Sequence, residues 1–195
     1  MNSQSTPAMT RRKPALRPLV WLATFLVVCA CGIIVGTAQG PPPGEREFED
    51  KIPAHLPIKV KVKNIEKVKD LKNEHWGRDL EIEVRNTGTK PIYYLRLSLY
   101  FVDVKPDSAG FYGWPLRYGR PELVDINNRA RPEDIPIQPG ETYLFKVPAG
   151  MITGWEKYRA NRNLPHPKKV GLQFEVLNYG DGTGFSGTGG EPMPN

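Results

Sequence analysis

The chain has 195 residues, 27 Lys plus Arg against 21 Asp plus Glu, and two cysteines. Four of the bases, Arg11, Arg12, Lys13 and Arg17, lie in the first 38 residues, which hold no acid, and setting them aside leaves 23 bases against 21 acids. A nearly neutral remainder excludes the basic footprint of a nucleic-acid binder, and with Cys29 and Cys31 both in the leader the rest of the chain excludes a disulfide framework.

Residues 19–36 form an apolar run without a charge, close to the ~20 residues that cross a bilayer. Gly36, Thr37 and Ala38 then supply the small residues that a signal peptidase reads. Two readings stay open: a signal peptide cleaved near Ala38, or a transmembrane helix that anchors the protein through residues 19–36. In both, the bases precede the segment and Glu45, Glu47, Glu49 and Asp50 follow it, so the positive-inside bias puts the remainder outside the cytoplasm, in the periplasm or at the cell surface. Arg11-Arg12 is a poor twin-arginine signal because Lys13-Pro14-Ala15 lacks the apolar residues that should follow. Val28-Cys29-Ala30-Cys31 is a poor lipoprotein box because Ile33-Ile34-Val35 continues the apolar run.

Residues 39–55 are Pro, Gly and charge, which predicts a tether. Ile58, Val60 and Val62 alternate with Lys59, Lys61 and Lys63, the period of a half-buried strand. The polar connector 67–77 carries Leu71 and Trp76, expected to cap an edge of the fold. Leu80, Ile82 and Val84 alternate with Glu81, Glu83 and Arg85, so a second strand should bring acids opposite the lysines, each such pair contributing roughly 0.2–1 kcal/mol. Residues 86–91 contain Asn86, Gly88 and Pro91 and predict a turn. A third strand over 92–102 puts Leu95, Leu97, Leu99 and Phe101 on the core face. Residues 80–104 thus hold the expected core pair.

Residues 105–136 hold five prolines, which predicts long surface loops and edge strands. Within them, residues 111–121 gather Tyr112, Trp114, Arg117, Tyr118 and Arg120, the residue types most enriched at binding hot spots; the competing expectation is that Trp114 and one tyrosine fold back over the edge of the sheets. Pro139 and Gly140 mark a type II turn over 138–141. A strand with Tyr143, Phe145 and Val147 on one side follows. Thr153 and Glu156 fit a capping box, predicting one short helix that starts there and stops before Pro165. Residues 169–177 give the last strand, with Val170, Leu172, Phe174 and Val176 inward, and 179–195 reads as a loose Gly-rich tail.

Short strands separated by turns, without βαβ alternation, define the predicted fold class: mainly β, an immunoglobulin-like antiparallel β-sandwich over residues 56–178 with one short helix, behind an N-terminal apolar helix. Glu83-Val84-Arg85-Asn86-Thr87-Gly88 with Lys90-Pro91-Ile92, and Ile137-Gln138-Pro139-Gly140-Glu141, resemble immunoglobulin-like or fibronectin-like modules of exported bacterial proteins. Trp114-Pro115-Leu116-Arg117-Tyr118-Gly119-Arg120-Pro121-Glu122-Leu123 and Asn178-Tyr179-Gly180-Asp181-Gly182-Thr183-Gly184 look similar to an uncharacterised family of small exported bacterial proteins, over about residues 52–191. That resemblance implies the fold and no activity.

No catalytic constellation is legible. His55, His75 and His166 are far apart and no cysteine joins them as metal ligands, so neither a metal nor a cofactor is expected. Ser186 lacks the strand-to-helix setting of a nucleophile elbow. Gly182, Gly184 and Gly187 match a dinucleotide fingerprint but open no helix. Asp181 supplies one carboxylate where calcium takes ~6–8 oxygens, and a tight turn accounts for it equally. The expectation is a non-catalytic interaction or scaffold module of the cell envelope, its partner an envelope protein or glycan. The alternatives are a carbohydrate-binding module using residues 111–121 and, last, an enzyme whose site is built from loops.

Overall fold

A computed structural model describes residues 44–105 and 112–193. The apolar run 19–36 and the cleavage site near Ala38 lie outside these. Among the described residues no helix is long and apolar enough to cross a membrane.

The fold is mainly β, with nine strands in two sheets and three helices among the described residues. The smaller sheet has the order β2 (Ile58–Val62), β3 (Glu81–Asn86), β6 (Thr142–Lys146), all antiparallel. Alternation makes it: Ile58 on β2, Ile82 and Val84 on β3 and Phe145 on β6 are buried, while the intervening charges face out. The acidic stripe of β3 is neutralised from both flanks, Glu83 by Lys63 at 3.2 Å and Glu81 by Lys146 of β6 at 2.7 Å. The expected charge match therefore holds for Lys61, which sits opposite Glu83, but Lys59 faces Arg85.

The larger sheet runs β5 (Tyr112–Tyr118), β4 (Tyr94–Phe101), β7 (Lys169–Asn178), β8 (Gly184–Ser186), β9 (Glu191–Met193), with β1 (Glu47–Lys51) also on β7. Leu95, Leu97, Leu99 and Phe101 are all fully buried, as the alternation of β4 requires. The turn after β3 does not close a hairpin, however. It carries the chain from the smaller sheet to the larger, and Asn86 holds it: its buried amide donates to Lys90 O and Ile137 O, both at 2.9 Å, and its Oδ1 accepts from Gly88 N at 3.0 Å. Residues from both sheets and from the helices share one apolar core. Gly140, with φ of 83°, sits third in the predicted turn, closed by Glu141 N to Gln138 O at 2.9 Å.

Five further expectations are corrected. The tether prediction over 39–55 gives way to β1, which pairs parallel with β7 from Glu47 opposite Lys169 to Lys51 opposite Gln173. Its acids are held by Lys169, whose Nζ reaches Glu47 at 2.9 Å and Glu49 at 2.5 Å. Ahead of it Arg46 is wholly buried, donating to Pro167 O at 2.8 Å and to Val68 O, with its guanidinium 4.5 Å from the Trp76 ring. Burial lowers the Arg46 pKa to about 10, against the pull of Asp103 and Asp70. The Gly-rich tail is likewise built in as β8 and β9. Gly184 is needed there because a Cβ would meet Leu177 O at 2.0 Å.

The single short helix becomes three: α1 (Ile65–Lys69), α2 (Trp76–Asp79) and α3 (Ala149–Arg162). The last starts at Ala149, after Pro148, rather than at Thr153, and Thr153 Oγ1 instead donates back to Ala149 O at 3.0 Å. It ends before Pro165, where Asn163 takes the left-handed conformation at φ of 51°. In β7 the register shifts so that Arg96 faces Val176 but Leu97 faces Phe174. Glu175 is the extra residue, bonded to Arg96 at 2.5 Å, and this bulge turns Leu177 inward in place of Val176. Finally, residues 112–118 are β5, a regular edge strand on β4 that admits Pro115 opposite Ser98, and not a loop.

Candidate functional site

Three of the four tryptophans come together at the end of the larger sheet. Trp76 opens α2, Trp114 lies on β5 opposite Leu99, and Trp155 is on the inner face of α3. Trp76 and Trp114 stack at 5.2 Å with 22° between rings, and Phe101 meets Trp76, Trp114 and Trp155 edge-on or nearly so at 5.7, 4.9 and 4.9 Å. Gly77 permits that stack, since a Cβ there would lie 2.7 Å from the Trp114 ring.

Between α2, β5 and α3 lies a cleft of about 150 Å³ bordered by the three indoles, Ile152, and the charged Glu74, Arg78 and Glu156. Trp76 Nε1 donates to His166 Nδ1 at 3.2 Å. The indole nitrogens of Trp114 and Trp155 are equally buried but have no hydrogen-bond partner among the described residues. A buried Tyr or Trp polar atom ordinarily finds one, and leaving it unmade costs ~1–3 kcal/mol. Glu156 is paired to Arg159 at 3.0 Å, while Glu74 and Arg78 are exposed and make no ion pair among the described residues. The cleft thus has an acid and a base at its mouth that make no ion pair among the described residues.

The five residues predicted as a binding surface do not stay together. Tyr112 and Trp114 turn into the aromatic cluster: Trp114 is 2 % exposed, and Tyr112 stacks on Tyr158 at 4.9 Å and lies 4.8 Å from Trp155. Arg117 is exposed on the opposite face of β5, across from Arg96. Tyr118 packs edge-on against Tyr143 at 4.5 Å and donates its hydroxyl to Ile135 O at 2.7 Å. Arg120 holds Asp134 through Nε and Nη2, each at 3.1 Å, and the Asp134 carboxyl is lowered by that contact first and by the Arg131 backbone N–H second. Tyr118 and Arg120 border a wider depression of about 360 Å³, but their polar atoms are already engaged in fastening the loop that follows β5, which leaves less there for a ligand.

Sequence reasoning missed Glu74, Arg78 and Trp155, treated Trp76 as an edge cap and read Glu156 only as a capping residue. Their positions, 76, 114 and 155, share no local pattern; the only available signal was that three tryptophans remain once the leader is set aside.

The other motifs resolve into structure. Asp181 is held by Lys90 at 2.8 Å and accepts from Thr183 N at 2.9 Å; burial pushes its carboxyl up, but the Lys90 and Thr183 hydrogen bonds outweigh this and hold it at about 2. Ser186 is the end of β8, and His55 Nε2 contacts Gly190 O at 2.9 Å. Among the described residues no three His, Cys, Asp or Glu side chains are grouped to hold a metal ion. Compared with known proteins, the chain matches no family model, no curated protein and no solved structure.

Proposed function

We propose that the chain is a non-catalytic interaction module of the cell envelope, an immunoglobulin-like sandwich presented outside the cytoplasm, and that its recognition site is the tryptophan cleft. The observation that carries this reading is a cleft bordered by three indoles and Ile152, at whose mouth Glu74 and Arg78 are exposed and make no ion pair among the described residues. The topology supports the sandwich reading, with two sheets over one core; the basic, apolar leader supports the envelope location; and the resemblance to small exported bacterial proteins agrees with both. A glycan reading centred on an open face of residues 111–121 has less support, because Trp114 is covered and Tyr118 and Arg120 are committed.

The test uses the full chain with Glu74→Ala and Arg78→Ala, two exposed substitutions. Envelope proteins and glycans are screened by tryptophan emission and thermal shift, and any binder is titrated against both variants. Binding that weakens in the variants while Tm stays constant supports the cleft. A partner whose affinity neither variant changes puts recognition elsewhere and sinks the reading.

A further inference from the structure

We propose that the outer face of the smaller sheet docks on an anionic phospholipid surface. The strand register sets three rows across that face: Lys59, Arg85 and Thr142; Lys61, Glu83 and Leu144; and, at the far end, Lys63, Glu81 and Lys146. Both acids are engaged by cations of the last row, Glu83 by Lys63 and Glu81 by Lys146. Lys59, Lys61 and Arg85 are exposed and make no ion pair among the described residues. Like charges directly opposite on neighbouring strands repel, so Lys59 against Arg85 works against the fold when it stands alone. Lysines on an edge strand commonly guard it against stray pairing, which accounts for Lys59 and Lys61 on β2. It does not account for Arg85, which lies on β3, the central strand. A layer of phosphates laid across the face would attract all three cations at once and screen them from one another.

A membrane fits this face better than a small anion or an acidic polymer. The outward side chains of a sheet form a surface without the concave walls that hold a small ligand. Leu144, 38 % exposed and opposite Glu83, adds an apolar side chain to the same face. The boundary between headgroups and acyl chains receives such a side chain, whereas an acidic polymer leaves it in water. Eight residues separate Gly36, where the apolar run ends, from Gly44, a connector of at most ~29 Å when fully extended, so a leader kept as an anchor tethers the domain to a bilayer. The face shares no residue with the tryptophan cleft, and the two sites stand or fall separately.

The experiment puts the full chain on vesicles of phosphatidylcholine, alone or mixed with phosphatidylglycerol, and follows acetylation of each lysine by mass spectrometry after a brief, low dose of reagent. The leader is common to every sample, so the comparison isolates the charged lipid. Phosphatidylglycerol should slow the labelling of Lys59 and Lys61 several-fold and leave Lys157 and Lys168, exposed on other elements, unchanged. About 0.5 M salt should abolish the protection. Arg85→Gln, an exposed change that also removes the like-charge pair, should take away most of it, since each cation near a charged surface contributes about 5-fold in partition, and should not lower Tm. Equal labelling of Lys59 and Lys61 on the two kinds of vesicle overturns the proposal and leaves the cleft untouched. Protection that reaches Lys157 and Lys168 equally, or that survives unchanged in Arg85→Gln, overturns the assignment to this face. Protection by polyaspartate in solution that matches the phosphatidylglycerol vesicles overturns the lipid assignment in favour of an acidic partner.

Discussion

At the end of β7 the Asn178 side chain is fully buried and fully used: its amide donates to Leu123 O at 2.9 Å and its Oδ1 accepts from Gly180 N at 2.6 Å. At the cleft the indole N–H groups of Trp114 and Trp155 are just as deep and meet no acceptor among the described residues. Both regions join distant segments, so the difference does not come from how much each must hold together. Asn178 ties the 3-10 turn at Pro121–Val124 to the sheet, as Asn86 ties the turn after β3, and in each case an amide satisfies backbone that would otherwise be stranded. Trp114 and Trp155 instead join their segments through ring packing, which leaves their N–H groups buried without a partner among the described residues. One region closes the fold through hydrogen bonds, and the other closes it through ring contacts at the cost of two unsatisfied donors.

The comparison breaks first at Asn178. Asn178→Leu should cost about 3 kcal/mol in denaturant unfolding, because it strands Leu123 O and Gly180 N in the interior. A loss below about 1 kcal/mol would mean that the junction is not held as described. Trp155→Phe should cost less, about 1–2 kcal/mol from lost packing, since its N–H has no bond to lose.

The third indole supplies a smaller, pH-dependent contrast. His166 accepts from Trp76, and burial first, then Arg159, lowers its pKa below the ordinary value of 6.5. The unfolded chain therefore protonates before the folded one, so stability present above pH 6.5 should decline as pH falls below it. Melting temperatures between about pH 8 and 5 should show this slope, and His166→Gln should flatten it. Smallest of all, Arg117→Ala should change stability by less than about 0.5 kcal/mol, because the side chain is exposed and opposite another arginine.

How much of this was legible in the sequence depended on distance along the chain. β2, β3, β4 and β6 follow from apolar residues at every second position, and the 138–141 turn follows from Pro139 and Gly140. What local pattern could not reveal was pairing. Residues 47–51 look like a tether until Lys169, far along the chain, supplies a cation for Glu47 and Glu49. The phase of β7 was read correctly through Phe174 and then lost, because a bulge at Glu175 leaves no mark on the alternation. Thr153 and Glu156 carry a genuine capping signature, but the helix had already begun one turn earlier behind Pro148. In the aromatic stretch the expectation that Trp114 and one tyrosine fold back holds, since β5 sends Trp114 inward with Tyr112 beside it and Arg117 outward; what was not legible is that the partners that make a cleft of Trp114 come from α2 and α3.

The parallel seating of β1 on β7 has a mechanical consequence. Because the two strands run the same way, tension applied along β1 from its N-terminal side slides it lengthwise and loads its backbone hydrogen bonds together instead of peeling them one at a time. Arg46, buried at the leading end with Pro167 O, Val68 O and the Trp76 ring around it, acts as the stop against that sliding. Single-molecule pulling from the N-terminal side should therefore show β1 yielding at a lower force in Arg46→Met. A protein held at that end would bear drag through this short strand before any other part of its fold.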